Sequence, residues 1–221
     1  DLFSKLSPIQ KERVIKALQA NGHTVGYLGD GINDTPALRA ADVGVSVDTA
    51  VDIAKESADF VLLEKDLMVL ERGIEVGRET FGNMMKYLYM ALSGNLGNII
   101  SVVIASIFLP FLPILPVQLL AQNLLNDFAL LGMAFDHVDP EYIRKPKSWD
   151  VPGMKRFMMI FGSLSAVFDV LLFGLLYFAF GFQTVATQAR FQSAWFLFGT
   201  LSQIMSSYAI RTSYVPFTKS K

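Results

Sequence analysis

Apolar positions change rhythm partway along the 221 residues, separating a mixed head from a long, nearly uncharged remainder. Between Pro8 and Ala20, Ile9, Val14, Ile15 and Leu18 recur at helical spacing among charges, and Asn21-Gly22 supplies a stop. Thr24 to Leu28 then reads as a strand and Pro36 to Ala41 as a short helix. Val43 to Val47 alternates like a strand, Val51 to Ser57 is a helix, and Asp59 to Leu63 is another strand. Strands alternating with helices predict a parallel α/β sheet. Residues 1–64 are few for an independent domain, so they are expected to be the second half of a larger one.

From Leu67 the spacing is helical again. The charges at Arg72, Glu75, Arg78, Glu79 and Lys86 stop before Tyr87, and from there to Phe135 Asp127 is the one formal charge. Residues 65–86 are therefore expected to form a stalk helix and 87–135 a transmembrane hairpin. Leu88 to Leu109 is long enough to cross about 30 Å of hydrocarbon at roughly 1.5 Å per residue. Pro110, Pro113 and Pro116 interrupt the helix, and Val117 to Phe135 makes the return span. A polar loop over 136–156 leads to a second hairpin over 157–210, with spans at Phe157 to Phe180 and Phe191 to Ile210, and a tail over 211–221. The fold class is thus a membrane α-helical region of four transmembrane helices preceded by part of an α/β domain. Four segments of this length argue against a soluble helical bundle.

Charge then orients the spans. Lys86 precedes the first, Arg144, Lys145, Lys147, Lys155 and Arg156 lie between the second and third, and Arg211, Lys219 and Lys221 follow the fourth. The opposite connections hold only Arg190. Bases concentrate on the cytoplasmic side, so head, middle loop and tail are expected there in a multi-pass inner-membrane protein. A 52% hydrophobic content and a mean hydropathy of +0.40 agree with a bilayer partner. A net charge of −1 with no basic stripe excludes nucleic acid, and zero cysteine excludes disulfides and thiolate metal sites. His23 and His137 sit in polar, loop-like surroundings and read as surface residues.

The ten residues Gly29 to Leu38, G-D-G-I-N-D-T-P-A-L, carry the strongest chemical signal. A strand ending at Leu28 would present Asp30 at its carboxyl end, where open α/β sheets place their sites, and Gly29 and Gly31 permit the turn. Asp34 lies four residues on, at a helix opened by Pro36. Two carboxylates and an amide in a tight turn suit phosphate and magnesium, which takes hard oxygen ligands. The bland alternative is an Asx turn with a helix cap.

This string resembles the hinge motif of P-type ATPases, ion pumps whose phosphorylation domain is haloacid dehalogenase-like. Pro8-Ile-Gln-Lys11 is similar to a second motif of that family. The resemblance implies that Lys11 neutralises an aspartyl phosphate, Asp30 ligates the catalytic Mg2+, Asn33 hydrogen-bonds phosphoryl oxygens and Asp34 supports the metal shell. Gly29 and Gly31 would form the phosphate-binding turn, with ATP as substrate. The family's phosphorylated aspartate lies in a D-K-T-G-T motif that this sequence lacks, as it lacks the nucleotide-binding and actuator regions. The chain is therefore expected to be a carboxyl-terminal portion, inactive without a missing N-terminal partner segment.

Polar residues also mark the spans. Asn95 and Asn98 are three apart, Asn126 and Asp127 follow Asn123 by three and four, and each set shares a helical face. A carboxylate at membrane depth is costly and hence a functional candidate, although asparagines also serve as interhelical hydrogen-bond donors and acceptors. S-G-N-L-G-N, Q-N-L-L-N-D, D-P-E-Y-I-R-K-P-K-S-W-D, F-Q-S-A-W-F and I-R-T together resemble the bacterial magnesium-importing P-type ATPases. That resemblance implies that Asn95, Asn98, Asn123, Asn126 and Asp127 bind the transported cation, Mg2+. Calcium transport and a non-catalytic membrane fragment are the alternatives. Asp169 and Gln203 are further candidates for the cation path, and Phe157, Phe161, Trp195 and Phe196 read as lipid-facing or interfacial aromatics.

Overall fold

The computed structural model describes residues 3–64 and 66–212, so Lys219 and Lys221 of the tail lie outside the described residues. The chain divides into two compact units, Asp1–Glu75 and Val76–Lys221.

In the first unit, α1 (Pro8–Ala20) opens with a capping box: the Ser7 hydroxyl accepts from the Gln10 amide, and the Gln10 side chain accepts from the Ser7 amide. Three parallel strands follow in the order β1 (Gly26–Leu28), β2 (Val43–Val47) and β3 (Phe60–Leu62). Helices α2 (Thr35–Ala40) and α3 (Asp52–Glu56) connect them, as the alternation predicts for parallel pairing. Leu38, Val47, Ala50 and Ala54 form the core between helices and sheet. Gly44 lets α2 approach β2, since a Cβ there would lie 2.8 Å from the Leu38 carbonyl oxygen. β2 runs as expected, while β1 begins two residues late and β3 is one residue shorter at each end, and the backbone before β1 bonds outside the strand ladder. The Val25 amide, for example, donates to the Asp42 carboxylate at 2.8 Å.

The second unit is helical. It contains the continuation of α4 (Leu67–Phe108), then α5 (Pro116–Leu131), a 3-10 turn over Gly132–Phe135, α6 (Pro140–Ile143), α7 (Val151–Gly174) ending in a π-helical turn over Leu175–Ala179, and α8 (Gln188–Ile210). Among the described residues two helical stretches, Leu67–Phe108 and Val151–Ala179, are long and apolar enough to cross a membrane. The 16 residues of α5 are fewer than the roughly 20 a straight crossing takes, and the rest of the expected span is the 3-10 turn Gly132–Phe135.

Small residues set the packing of α4 on α7. A Cβ on Gly97 would lie 3.0 Å from the Ser165 Cβ, and one on Gly162 would lie 3.0 Å from Leu96. Phe173, Phe191 and Trp195 then fill a core with Ala105, Ile114 and Leu176. Trp195 is 3% exposed, so it is a core residue of this unit and not the interfacial aromatic its composition suggested. Its indole donates to Asp169 Oδ1 at 3.1 Å, while the Ser101 hydroxyl donates to Asp169 Oδ2 at 2.6 Å. One buried carboxylate thereby ties α4, α7 and α8 together.

Asp169→Ala would strand the indole N–H, whereas the Ser101 hydroxyl can turn to its own helix. An orphaned buried donor costs about 1–3 kcal/mol. Thermal unfolding of the chain in detergent is expected to shift down by roughly 5 °C, and an unmoved midpoint would show that the tie contributes nothing.

At one end of this unit Lys86 pairs with Asp136 at 2.8 Å and Arg211 pairs with the same carboxylate at 3.1 Å. At another place the Gln192 side chain donates to the Leu112 carbonyl at 2.8 Å, pinning the proline-rich hairpin to α8. Lys86, midway along α4, and Arg211, just after α8, therefore lie together beside the residue that begins the polar loop.

Candidate functional site

The turn after β1 is fixed from both sides of its first residue. The Gly29 amide donates to the Val45 carbonyl at 3.0 Å, and the buried Ser46 hydroxyl donates to the Gly29 carbonyl at 2.8 Å. A Cβ on Gly29 would fall 2.5 Å from the Asp34 Cβ. Glycine is what lets the 3-10 turn Ile32–Asp34 fold its aspartate back under the end of the strand.

Asp34 is the hub of this turn. Its Oδ1 accepts from Lys11 Nζ and from the Tyr27 hydroxyl, each at 2.7 Å, and its Oδ2 accepts from the Gly31 amide at 3.3 Å. Burial alone would raise the Asp34 pKa, but the bonds from Lys11, Tyr27 and Gly31 outweigh it and the net displacement is below 3.8. Lys11 moves the other way: its bond to Asp34 lifts it above 10.5 against the opposing effect of burial.

The Asp34 displacement makes folding pH-dependent. Because its folded pKa is depressed, its stabilising contribution is complete above the unfolded value near 3.8 and is lost as pH falls through the folded value. Asp34→Asn should therefore flatten the acid limb of the stability profile below about pH 4, read by thermal unfolding against pH. An acid limb identical to that of the unsubstituted chain would contradict the pairing.

Asp30 has a different setting. It is exposed, its carbonyl accepts from the Val51 amide at 3.2 Å, and no hydrogen bond or ion pair engages its carboxylate among the described residues. With Lys11, Tyr27, Asp34 and Asp66 it lines a cavity of about 550 Å³. Asn33 is exposed on the turn and is not among the lining residues, whereas Gly29 is. The sequence reading thus found Lys11, Asp30 and Asp34 together, and missed Tyr27, Ser46 and Asp66. The strand pattern over Thr24 to Leu28 gave no hint that the Tyr27 hydroxyl reaches Asp34.

This donor set fits a hard cation. Asp30 offers a free carboxylate to the cavity, while Asp34, already accepting three hydrogen bonds, suits an outer role. No group of three or more His, Asp or Glu side chains that could hold a metal by themselves occurs among the described residues. Such a site would need oxygens from substrate and water, which is the usual condition for magnesium.

In the second unit, Asn126 lines a cavity of about 50 Å³ with Gly94, Ser93, Ser165 and Gln203. The Gln203 Oε1 and the Asn98 Nδ2 are buried without a hydrogen-bond partner among the described residues. Asn95 and Asp127 are exposed and Asn123 is half-buried. No hydrogen bond joins any two of Asn95, Asn98, Asn123, Asn126 and Asp127 among the described residues. Asp169, in contrast, is engaged by Ser101 and Trp195. His23 and His137 are exposed.

Comparison with known proteins agrees with this division. A model of haloacid dehalogenase-like hydrolases matches residues 4–67, and a model described as cation transporting ATPase, C-terminus, matches residues 111–221. A magnesium-transporting ATPase, P-type 1, of Salmonella typhimurium is 54% identical over 220 residues, covering 100% of this chain and 24% of that protein. The protein of the same description from Escherichia coli K12 is 54% identical over 219 residues, 99% of this chain and 24% of that protein. A calcium-transporting ATPase of Listeria monocytogenes is 34% identical over 148 residues, 66% of this chain and 17% of that protein. The chain therefore spans about a quarter of the length of the curated relatives it matches. With a haloacid dehalogenase-like head followed by a matching apolar helical region, the chain belongs to the cation-transporting ATPase family and corresponds to its carboxyl-terminal part.

Proposed function

We propose that this chain is the carboxyl-terminal part of an ATP-driven pump that brings magnesium into the cytoplasm through an aspartyl-phosphate intermediate. The observation that carries the reading is the unpartnered Asp30 carboxylate beside the Lys11–Asp34 pair on one cavity. In this reading an upstream segment supplies the phosphorylated aspartate and the nucleotide-binding region. Lys11 Nζ balances the charge of the phosphoryl group, Asp30 holds the catalytic Mg2+, Asp34 orients Lys11, and Asn33 reaches phosphoryl oxygens from the exposed side of the turn. The bound Mg2+ supplies Lewis acidity at the phosphoryl oxygens.

The membrane part is read as four spans built on α4, α5, α7 and α8, with head, loop 136–156 and tail in the cytoplasm. The shared pairing of Lys86 and Arg211 with Asp136 supports this, because it puts the base before the uncharged stretch of α4, the base after α8 and the start of the loop together. Asn95, Asn98, Asn123, Asn126 and Asp127 are proposed to take the cation, joined by Gln203, whose orphaned carbonyl oxygen lies at the small polar cavity. Spans from upstream would cover Asn95 and Asp127, which are exposed in this chain. A site with one carboxylate and several amides suits a cation that keeps part of its water, which favours magnesium over calcium. The relatives described as magnesium-transporting support the same choice.

The test of the phosphoryl reading uses the intact protein that contains this chain. Radiolabelled ATP should leave a covalent, hydroxylamine-labile phosphate on it, and absence of label under conditions where it hydrolyses ATP would refute the aspartyl-phosphate route.

A further inference from the structure

Asp34 receives two hydrogen bonds on a single oxygen, and the two donors differ in kind. Lys11 Nζ sits at the end of a flexible stem on α1 with its side chain 29% exposed, and an ammonium has three N–H groups that can be redirected. The Tyr27 hydroxyl is carried on β1 by a ring with only two side-chain torsions. Burial, followed by the neighbouring Asp34, holds its phenol above 10.0, so it remains a neutral donor at physiological pH. The Asp34 side chain is 13% exposed, and a carboxylate that far from water is expensive to leave without donors.

If Lys11 were the only strong donor, drawing it toward an anion in the cavity would strip Asp34 of its partner. With Tyr27 at 2.7 Å and the Gly31 amide at 3.3 Å, Asp34 keeps two donors when Lys11 leaves. We propose that Tyr27 is a positioning residue that holds Asp34 in place while Lys11 turns from it to the phosphoryl group. The inference rests on the phosphoryl-site reading above and adds a residue that neither the hinge motif nor the lysine motif contains.

The probe is orthovanadate with Mg2+, a phosphoryl mimic, and the readout is thermal stabilisation of the intact protein that contains this chain. Unsubstituted protein is expected to show a saturable rise in unfolding temperature. Tyr27→Phe, which keeps the ring, is expected to raise the half-saturating vanadate concentration by about tenfold, the scale of a lost hydrogen bond to a charged group, with the unliganded midpoint little changed. In a Lys11→Met background, where there is no ammonium to release, the same substitution should add little.

A half-saturation unchanged by Tyr27→Phe would overturn the inference, as would an equal shift in both backgrounds. So would a lowered unliganded midpoint with unaltered vanadate affinity, which is what a packing role produces. Asp30→Asn separates this failure from that of the underlying reading. Loss of vanadate stabilisation in Asp30→Asn together with a silent Tyr27→Phe removes only Tyr27. No stabilisation of the unsubstituted protein, or full stabilisation of Asp30→Asn, removes the phosphoryl site and the inference with it.

Discussion

Asp30→Asn in the intact protein that contains this chain should reduce the rate of phosphorylation from ATP by about a thousandfold, because it replaces the cavity carboxylate that has no hydrogen bond or ion pair among the described residues by a neutral amide. The size follows from what the side chain is proposed to do. A hard divalent cation gains several kcal/mol from an anionic oxygen, and about 4 kcal/mol lost from the transition state is about a thousandfold in rate. Fold should be spared. Asp30 is exposed, its structural role is carried by its backbone carbonyl at 3.2 Å from the Val51 amide, and asparagine keeps both backbone and size. The check is the initial rate of phosphoenzyme formation at saturating ATP, with unfolding temperature as control. Phosphorylation within about threefold of the unsubstituted protein would remove Asp30 from the metal shell, since a lost anionic ligand is worth far more than that.

The second large effect concerns the cation. Asp127 is the one formal charge between Tyr87 and Phe135. Holding a carboxylate at membrane depth costs about 2.5–3.5 kcal/mol on insertion scales. A residue kept against that cost needs a compensating partner, and the structure shows none for its exposed side chain among the described residues. A transported cation is such a partner. Asp127→Asn should raise the Mg2+ concentration for half-maximal stimulation of ATP hydrolysis by at least about tenfold, with smaller effects on the maximal rate, since a charge-assisted contact is worth roughly 1.5–3 kcal/mol. Stimulation by Mg2+ at unchanged concentrations would take Asp127 off the ligand list and leave the amides and Gln203 to account for the site.

The head was legible because its period changes are sharp and its turn chemistry is dense. Strand β2 falls at Val43–Val47 as alternation requires, and α1 runs from Pro8 to Ala20, where Ser7 and Gln10 cap it and Asn21-Gly22 ends it. The other head elements begin or end within two residues of their expected places, because side chains such as Asp42 capture backbone amides that periodicity assigns to strands.

The site was half legible. A motif names Lys11, Asp30 and Asp34, but only packing shows that Asp34 is already occupied by Lys11, Tyr27 and Gly31 while Asp30 is not. Tyr27 carried no signal because an aromatic on the inward face of a strand is ordinarily core. The same holds for the membrane part. Hydropathy finds α4 and α7, while α5 is cut short at Leu131 by a turn that apolar composition does not reveal. Asp169 read as a possible ion ligand because a buried carboxylate is rare, yet Ser101 and Trp195 come from 68 and 26 residues away to engage it. Pairings across that separation are set by helix packing and leave no local pattern.

The central claim is that phosphoryl chemistry in the head serves magnesium movement through the spans. It is tested most directly by Mg2+ flux in sealed vesicles containing the intact protein, with ATP supplied to the face that bears the head. The account predicts ATP-dependent accumulation of Mg2+ on that same face, abolished by Asp30→Asn and shifted to higher Mg2+ by Asp127→Asn. Movement of Mg2+ away from the ATP face, or ATP hydrolysis with no Mg2+ movement at all, would contradict it.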